Sequence, residues 1–236
     1  MNDKPDSFKR PPKKYQPKGL AILYEDRDIL VVNKSSGLLT IATSREKEHT
    51  AYFLLNEYVK KGNSKSHSRI FIVHRLDRDT SGVIIFAKSE QAKRFLQEKW
   101  DNVKKKYFAI IHGSLSQKEG VITSYLAENS IHKMYSVDDP ARGKLAKTGY
   151  KIIRESKQYS LVEIDLFTGR KNQIRVHFAD KGCPVVGDKL YGVKEKGIGR
   201  LALHAASLTI YHPFSNKEMT FEAKIPPVFT SLLNRK

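Results

Sequence analysis

Two apolar runs, residues 70–73 (I-F-I-V) and 83–87 (V-I-I-F-A), enclose a polar block at 74–81 that closes on Gly82. Runs of that length, rich in Ile, Val and Phe, predict largely buried strands. A core then holds both ends of the block and presses Arg75, Asp77, Arg78 and Asp79 into a fixed arrangement. A buried carboxylate without partners is expensive, so charge at this place in a chain demands an explanation. On the residues alone two are open: a tight turn laced by salt bridges, or a catalytic carboxylate held by arginines.

The rest of the chain favours a polyanionic partner. A formal net charge of +18 over 236 residues repels itself in a compact state and points to nucleic acid before membrane. The single cysteine, Cys183, excludes an internal disulfide and fits a reducing compartment. The eight histidines show no metal-ligand spacing. No apolar run approaches the ~20 residues of a membrane span, and no signal-peptide apolar region opens the chain, so a cytoplasmic protein is expected. Residues 1–19 place Lys4, Lys9, Arg10, Lys13, Lys14 and Lys18 among Pro5, Pro11, Pro12 and Pro17, which predicts a disordered basic arm ahead of one domain over 20–236.

Along that domain the pattern alternates short strands with a few helices. Residues 22–24 and 29–32 predict a hairpin turning at 25–28. Thr50 caps a helix running to about Lys61, with Phe53, Leu54, Leu55 and Tyr58 expected on its buried side and Gly62 as its stop. Ser89 caps a second, 90–100, whose Ala92, Phe95, Leu96 and Trp100 lie at helical spacing and read as core. A strand at 107–111 is entered from the basic run 104–106. Residues 146–154 and 160–167 predict paired strands, the second alternating Val162, Ile164 and Leu166 with Glu163 and Asp165. Thr168-Gly169 turns the chain into a short helix ending near Lys181, with Gly182 as its stop. The first N–H groups of that helix, with Arg170 and Lys171, form a natural phosphate site.

The block at 74–82, H-R-L-D-R-D-T-S-G, resembles the H-R-L-D-x-x-T-S-G motif of the RluA-type pseudouridine synthases. K-K-Y at 105–107, the run 168–192 and L-A-L-H-A at 201–205 follow in the order that family has them, so the resemblance spans nearly the whole chain. It implies an α+β fold, a single catalytic domain around a long, mainly antiparallel mixed sheet with flanking helices. It implies RNA as substrate, ribosomal or transfer, and isomerisation of uridine to pseudouridine with no cofactor or metal. It also implies residue roles: Asp77 catalytic, Arg75 holding the flipped-out arrangement, and Tyr107 packed on the target uracil. In the pattern T-G-R-x-x-Q-I-R-x-H, Arg175 is implied as the partner of Asp77, where a guanidinium lowers a carboxylate pKa by roughly 1–3 units. Arg170 and Lys171 are the expected phosphate contacts. Ser35 stands where the family has proline, and Asn172 where many relatives have histidine. The basic arm is too short for the S4-type RNA-binding domain many relatives carry, so RNA specificity falls to the catalytic domain, with residues 124–147 as its variable, substrate-facing part.

Other readings are weaker. Gly197–Ala202 matches the dinucleotide-binding G-x-G-x-x-A but follows Lys194-Glu195-Lys196 rather than a strand. Ser81, His74 and Asp77 lack the G-x-S-x-G elbow of a hydrolase triad. A two-carboxylate hydrolase built on Asp77 and Asp79 suits neither their spacing nor the charge. A non-catalytic RNA-binding module of the same fold stays open. A monomer with no obligate protein partner is the default expectation.

Overall fold

The structure, a computed structural model, describes residues 8–44, 46–63, 65–193 and 199–234. Its strands and helices begin with β1 (Leu20–Glu25), β2 (Ile29–Lys34), α1 (Ala51–Lys60), β3 (Phe71–Ile72), β4 (Ser81–Ala87) and α2 (Glu90–Glu98). They continue with β5 (Lys104–His112), β6 (Glu119–Glu128), β7 (Met134–Val137), β8 (Lys144–Glu155) and β9 (Tyr159–Leu166). The last are α3 (Gln173–Asp180), β10 (Leu203–Tyr211), β11 (Glu218–Glu222) and α4 (Pro227–Leu233). The fold is α+β, and it divides into two compact units. One comprises the described residues up to Val103 together with Ala205–Ala223; the other is Lys104–His204 with the described residues from Lys224 onward.

In the first unit the strand order is β1-β2-β4-β10, with β3 on β4 and β11 on β10. The β1–β2 hairpin, the β2–β4 pair and the β10–β11 pair are all antiparallel. All seven residues of β4 are buried, as a run without polar alternation requires of a strand covered on both faces. Ile29, Val31, Val83, Ile85, Leu208, Ile210 and Phe221 form one core with Ala92 and Leu96 of α2, and Phe95 and Trp100 pack at its edge. Ser89 caps α2 by accepting the Ala92 N–H at 3.1 Å.

Helix α1 is capped as expected, Thr50 accepting the Phe53 N–H at 3.1 Å, and ends on two left-handed residues, Lys61 and Gly62. Its buried stripe is Ala51, Leu55 and Val59: of the four residues expected there, Leu55 is buried and Phe53, Leu54 and Tyr58 are not. Phe53 is exposed, and Tyr58 stays half-buried with its hydroxyl on Glu25 at 2.9 Å. Residues 51, 55 and 59 recur every four positions and so share one face, and the helix is tied at its start to the preceding segment, where the Ala51 N–H donates to Leu39 O at 2.8 Å. The described part of the expected N-terminal arm carries a 3-10 turn, Lys13–Tyr15, that buries none of its residues. Beside it, Gln16 accepts the Ile22 N–H at 2.9 Å. Residues 1–7 of the arm lie outside the described residues.

The second unit is a meander-like sheet ordered β5-β9-β8-β6-β7, antiparallel at every step. The polar stretch at 124–147 thus forms one end of a β6–β7–β8 ribbon, with a turn at Asp139–Arg142. One core joins Ile110, Tyr159, Val186 and Ala202 to Phe229, Leu232 and Leu233 of α4; another joins Leu126, Met134 and Ala146 to Val176 of α3. No described helix is long and apolar enough to cross a membrane.

Gly82 is where the polar block meets β4. Its φ is +119°, and a Cβ there would lie 2.1 Å from Ala205 O and 2.6 Å from Ala205 N. Both backbone conformation and space demand glycine. Gly82→Ala is expected to lower the unfolding free energy by about 3 kcal/mol or more in urea titrations.

Candidate active site

The block at 74–82 is positioned by the segment that leaves β2. Lys34, the last residue of β2, pairs in register with Gly82 and is fully buried. Its ammonium donates to Leu38 O at 2.7 Å, Arg78 O at 3.1 Å and Ser35 O at 3.2 Å. A buried ammonium is tolerated where its donors are met in this way. Around it the two segments are stitched together. Ser36 Oγ donates to Asp79 O at 2.6 Å, the Gly37 N–H to Arg78 O at 2.9 Å, and Arg78 Nε to Gly37 O at 3.1 Å. Thr40 Oγ1 donates to Leu76 O at 2.7 Å. On the other side His74 Nε2 accepts the Ile85 N–H at 3.2 Å, and its ring lies 4.5 Å from Trp100. The Thr80 N–H closes a turn on Asp77 O at 3.2 Å.

Five of these nine bonds use main-chain atoms of the block. Its carbonyls face inward to Lys34, Ser36 and Thr40, which leaves the Arg75 side chain exposed and Asp77 half-buried. Ser35, in the place of the family's proline, contributes its carbonyl to the same ammonium, so the departure leaves this arrangement intact.

In the second unit, Tyr107 lies on β5 opposite Ile164 of β9 and is 9% exposed. The turn before α3 is organised by Gln173, which is buried. Its Oε1 accepts the Thr168 hydroxyl at 2.8 Å and the Arg170 N–H at 3.0 Å. Its Nε2 donates to Lys147 O at 3.0 Å and Thr148 Oγ1 at 2.9 Å. The donors read from the sequence as a phosphate site are thus partly committed within the unit. Arg170 Nε donates to Leu145 O at 3.0 Å, while Lys171 Nζ reaches Glu128 at 2.6 Å and His132 O at 2.8 Å. Bonds from Lys171, then His132, hold the Glu128 carboxyl below its ordinary range. Asn172 stands at the helix N-cap in the left-handed region, φ +53°, without capping the helix through its side chain, a conformation asparagine tolerates better than most residues.

Arg175 forks onto Asp188, with Nε 2.7 Å from Oδ2 and Nη2 2.7 Å from Oδ1. Burial pushes the Asp188 carboxyl up. The guanidinium and the Leu190 and Tyr191 N–H groups outweigh it, leaving the group below the usual carboxylate range. Tyr191 lies under the guanidinium, 5.2 Å from centroid to carbon. The sequence reading named neither Asp188 nor Lys34 as part of the site. Each carried a signal: a lone carboxylate straight after Val185-Val186-Gly187, and a lone ammonium closing the run I-L-V-V-N. Buried charges of that kind require partners.

Among the described residues, Asp26, Asp28 and His212 could together approach a metal ion. The oxygens of Asp26 are already engaged: Oδ1 accepts the Asp28 and Ile29 N–H groups, and Oδ2 accepts the Tyr24 hydroxyl and faces His212 Nε2. The cluster therefore ties two hairpin turns together. The dinucleotide-type run 197–202 begins outside the described residues; its Leu201 and Ala202 are buried.

A family model described as RNA pseudouridylate synthase matches residues 28–180. The chain belongs to that family. It is 36% identical to an uncharacterized RNA pseudouridine synthase of Mycoplasma genitalium, over 91% of this chain and 69% of that one. It is also 36% identical to ribosomal large subunit pseudouridine synthase D of Zymomonas mobilis, over 88% and 69%. Among solved structures, human RNA pseudouridylate synthase domain containing 4 superposes with a TM-score of 0.73 at 25% identity, covering 89% of this chain and 90% of that one. The fold is thus that of a pseudouridylate synthase domain. The chain is an isomerase that makes pseudouridine from uridine in RNA.

Two expectations follow for this synthase. Lys34→Met withdraws the buried ammonium from three carbonyls and should remove about 2–4 kcal/mol of stability in urea titrations, with proteolysis at 74–82 as the first sign of loosening. His177, buried between Thr148 Oγ1 at 2.8 Å and Ser124 Oγ at 3.0 Å, is pushed down to about 4 chiefly by burial. Its folded value lies below its unfolded one, near 6.5, so the unfolded chain binds the extra proton. The contribution is complete above pH 6.5 and drains away as pH falls toward 4, about 2 kcal/mol between pH 7 and pH 5. A His177→Gln variant should show a flatter profile in urea melts across that range.

Proposed function

We propose that this synthase isomerises a uridine of ribosomal or transfer RNA, with Asp77 as the reacting group and no cofactor. The reaction breaks the bond from ribose C1′ to uracil N1, turns the freed uracil, and joins C1′ to C5, whose proton passes to water. Atoms and oxidation state balance without a second reactant. A target uridine inside folded RNA must leave its stack, which costs a few kcal/mol. In this reading Arg75 holds the flipped-out arrangement, Tyr107 packs on the base, and Arg175, Arg170 and Lys171 bind the RNA. Two routes for Asp77 are chemically sound: attack on C1′, or removal of a ribose proton to give a glycal. Site in the cytoplasm, action as a monomer and independence from a protein partner complete the proposal.

The observation that carries it is the main-chain lock on residues 74–82. Spending a buried ammonium and two hydroxyls on the carbonyls of one loop makes physical sense where the side chains of that loop must be aimed. The name of the Zymomonas relative makes large-subunit ribosomal RNA the first substrate to try. The competing reading, an RNA-binding module without catalysis, is separated by one experiment. RNA carrying uridine tritiated at C5 is incubated with wild type and with Asp77→Asn. Wild type should release tritium to water, and Asp77→Asn should release it at least about 10³-fold more slowly, while binding RNA within about twofold of wild type. Tight binding with no release by wild type from ribosomal or transfer RNA would establish the module instead.

A further inference from the structure

Within the first unit, α1 and the segment that enters β3 face each other across an open cleft of about 570 Å3. Tyr52, Lys60, Ser66, His67, Ser68 and Arg69 line it. Every one of these side chains can donate a hydrogen bond, and none is a carboxylate. Asn56 fixes the two walls to each other: its amide donates to Tyr52 O at 2.9 Å, and its carbonyl accepts the Ile70 N–H at 3.0 Å. Ser66 Oγ holds the Ser68 N–H at 3.2 Å, and the Arg69 guanidinium rests 4.7 Å over the Phe71 ring. Lys60 meets Glu57 at 2.8 Å on an exposed rim; a pair so exposed is weak and exchanges readily for another anion.

None of these residues belongs to the machinery assigned to the reaction, yet the cleft is joined to it. The Tyr52 N–H donates to Thr40 O at 3.0 Å, and the Thr40 hydroxyl is the one that holds Leu76, next to Asp77. A concave surface lined by donors and positive charge focuses potential onto an anion. A guanidinium fork beside an ammonium suits phosphate oxygens, and a tyrosine ring suits an unstacked base.

We propose that this cleft is an accessory subsite for the RNA substrate, taking backbone phosphates of a single-stranded segment near the target uridine. Arg69, His67 and Lys60 meet the phosphate oxygens, and Tyr52 meets the adjoining nucleoside. The inference rests on the RNA-isomerase reading, and its test is built so that the two fail separately. Binding of fluorescein-labelled oligouridylate is followed by anisotropy across a salt series, independently of turnover. Lys60→Gln/Arg69→Gln is compared with Lys118→Gln/Lys151→Gln, which removes the same charge from exposed positions. Loss of two phosphate contacts lowers the slope of log K against log salt by about 1.4, and the control leaves it unchanged. With tritiated RNA, KM rises about tenfold in the cleft variant while kcat stays within about twofold, a split expected when uniform binding is removed. Ser68→Glu, which sets a carboxylate among the donors, acts in the same direction. Equal slopes in the two double variants, or no change in either, would overturn the cleft in favour of a diffuse basic surface. Wild type that binds oligouridylate but releases no tritium would sink the isomerase reading while the slopes still decide the subsite.

Discussion

An ammonium buried at the end of a strand organises the loop at 74–82. Lys34 donates to carbonyls on both sides of a chain crossing, Ser35 and Leu38 on one side and Arg78 on the other. The ammonium itself is fully buried, so its bonds are stronger than they would be at the surface, and losing them leaves a buried charge without partners. Gly82, opposite Lys34 in register, supplies the complementary constraint, a backbone so close to Ala205 that no side chain fits. Between them these two residues decide where residues 74–81 can go.

The second unit uses the same principle with different groups. Gln173 satisfies both the turn before α3 and the end of the neighbouring strand, the Asp188 carboxylate pins Arg175 in a two-bond fork, and His177 bridges two hydroxyls. Gln173 and His177 lie one turn apart on one side of a helix of only eight residues, and Arg175, two residues from each, lies on the opposite side. Such a helix is marginal by itself, and polar anchors at successive turns give it a defined orientation as well as stability.

These anchors bear on what the enzyme must do. An isomerisation without redox change needs little beyond aimed groups and a place to hold RNA. A net charge of +18 attracts phosphates without regard to sequence, so discrimination has to come from where donors are fixed rather than from how many there are. Rigid loops and pinned arginines answer that requirement; a merely basic surface does not.

Much of this was legible in the sequence. The apolar runs around 74–82, the caps at Thr50 and Ser89, and the alternation at Val162 and Ile164 follow local rules of periodicity and hydrogen bonding, and the motif order carried the family. What local rules missed has one cause. The buried stripe of α1 runs through Ala51, Leu55 and Val59, not through its largest side chains. The partner of Arg175 inside its own unit lies thirteen residues on, past a glycine turn, and the acceptors of Lys34 come from two separated segments. The sequence by itself determined most strands and helices and the family, and it supplied the candidate for the reacting residue. Tertiary structure alone decided which charges are buried and what satisfies them, because a polar group's partners are chosen by whichever distant backbone the fold brings within about 3 Å.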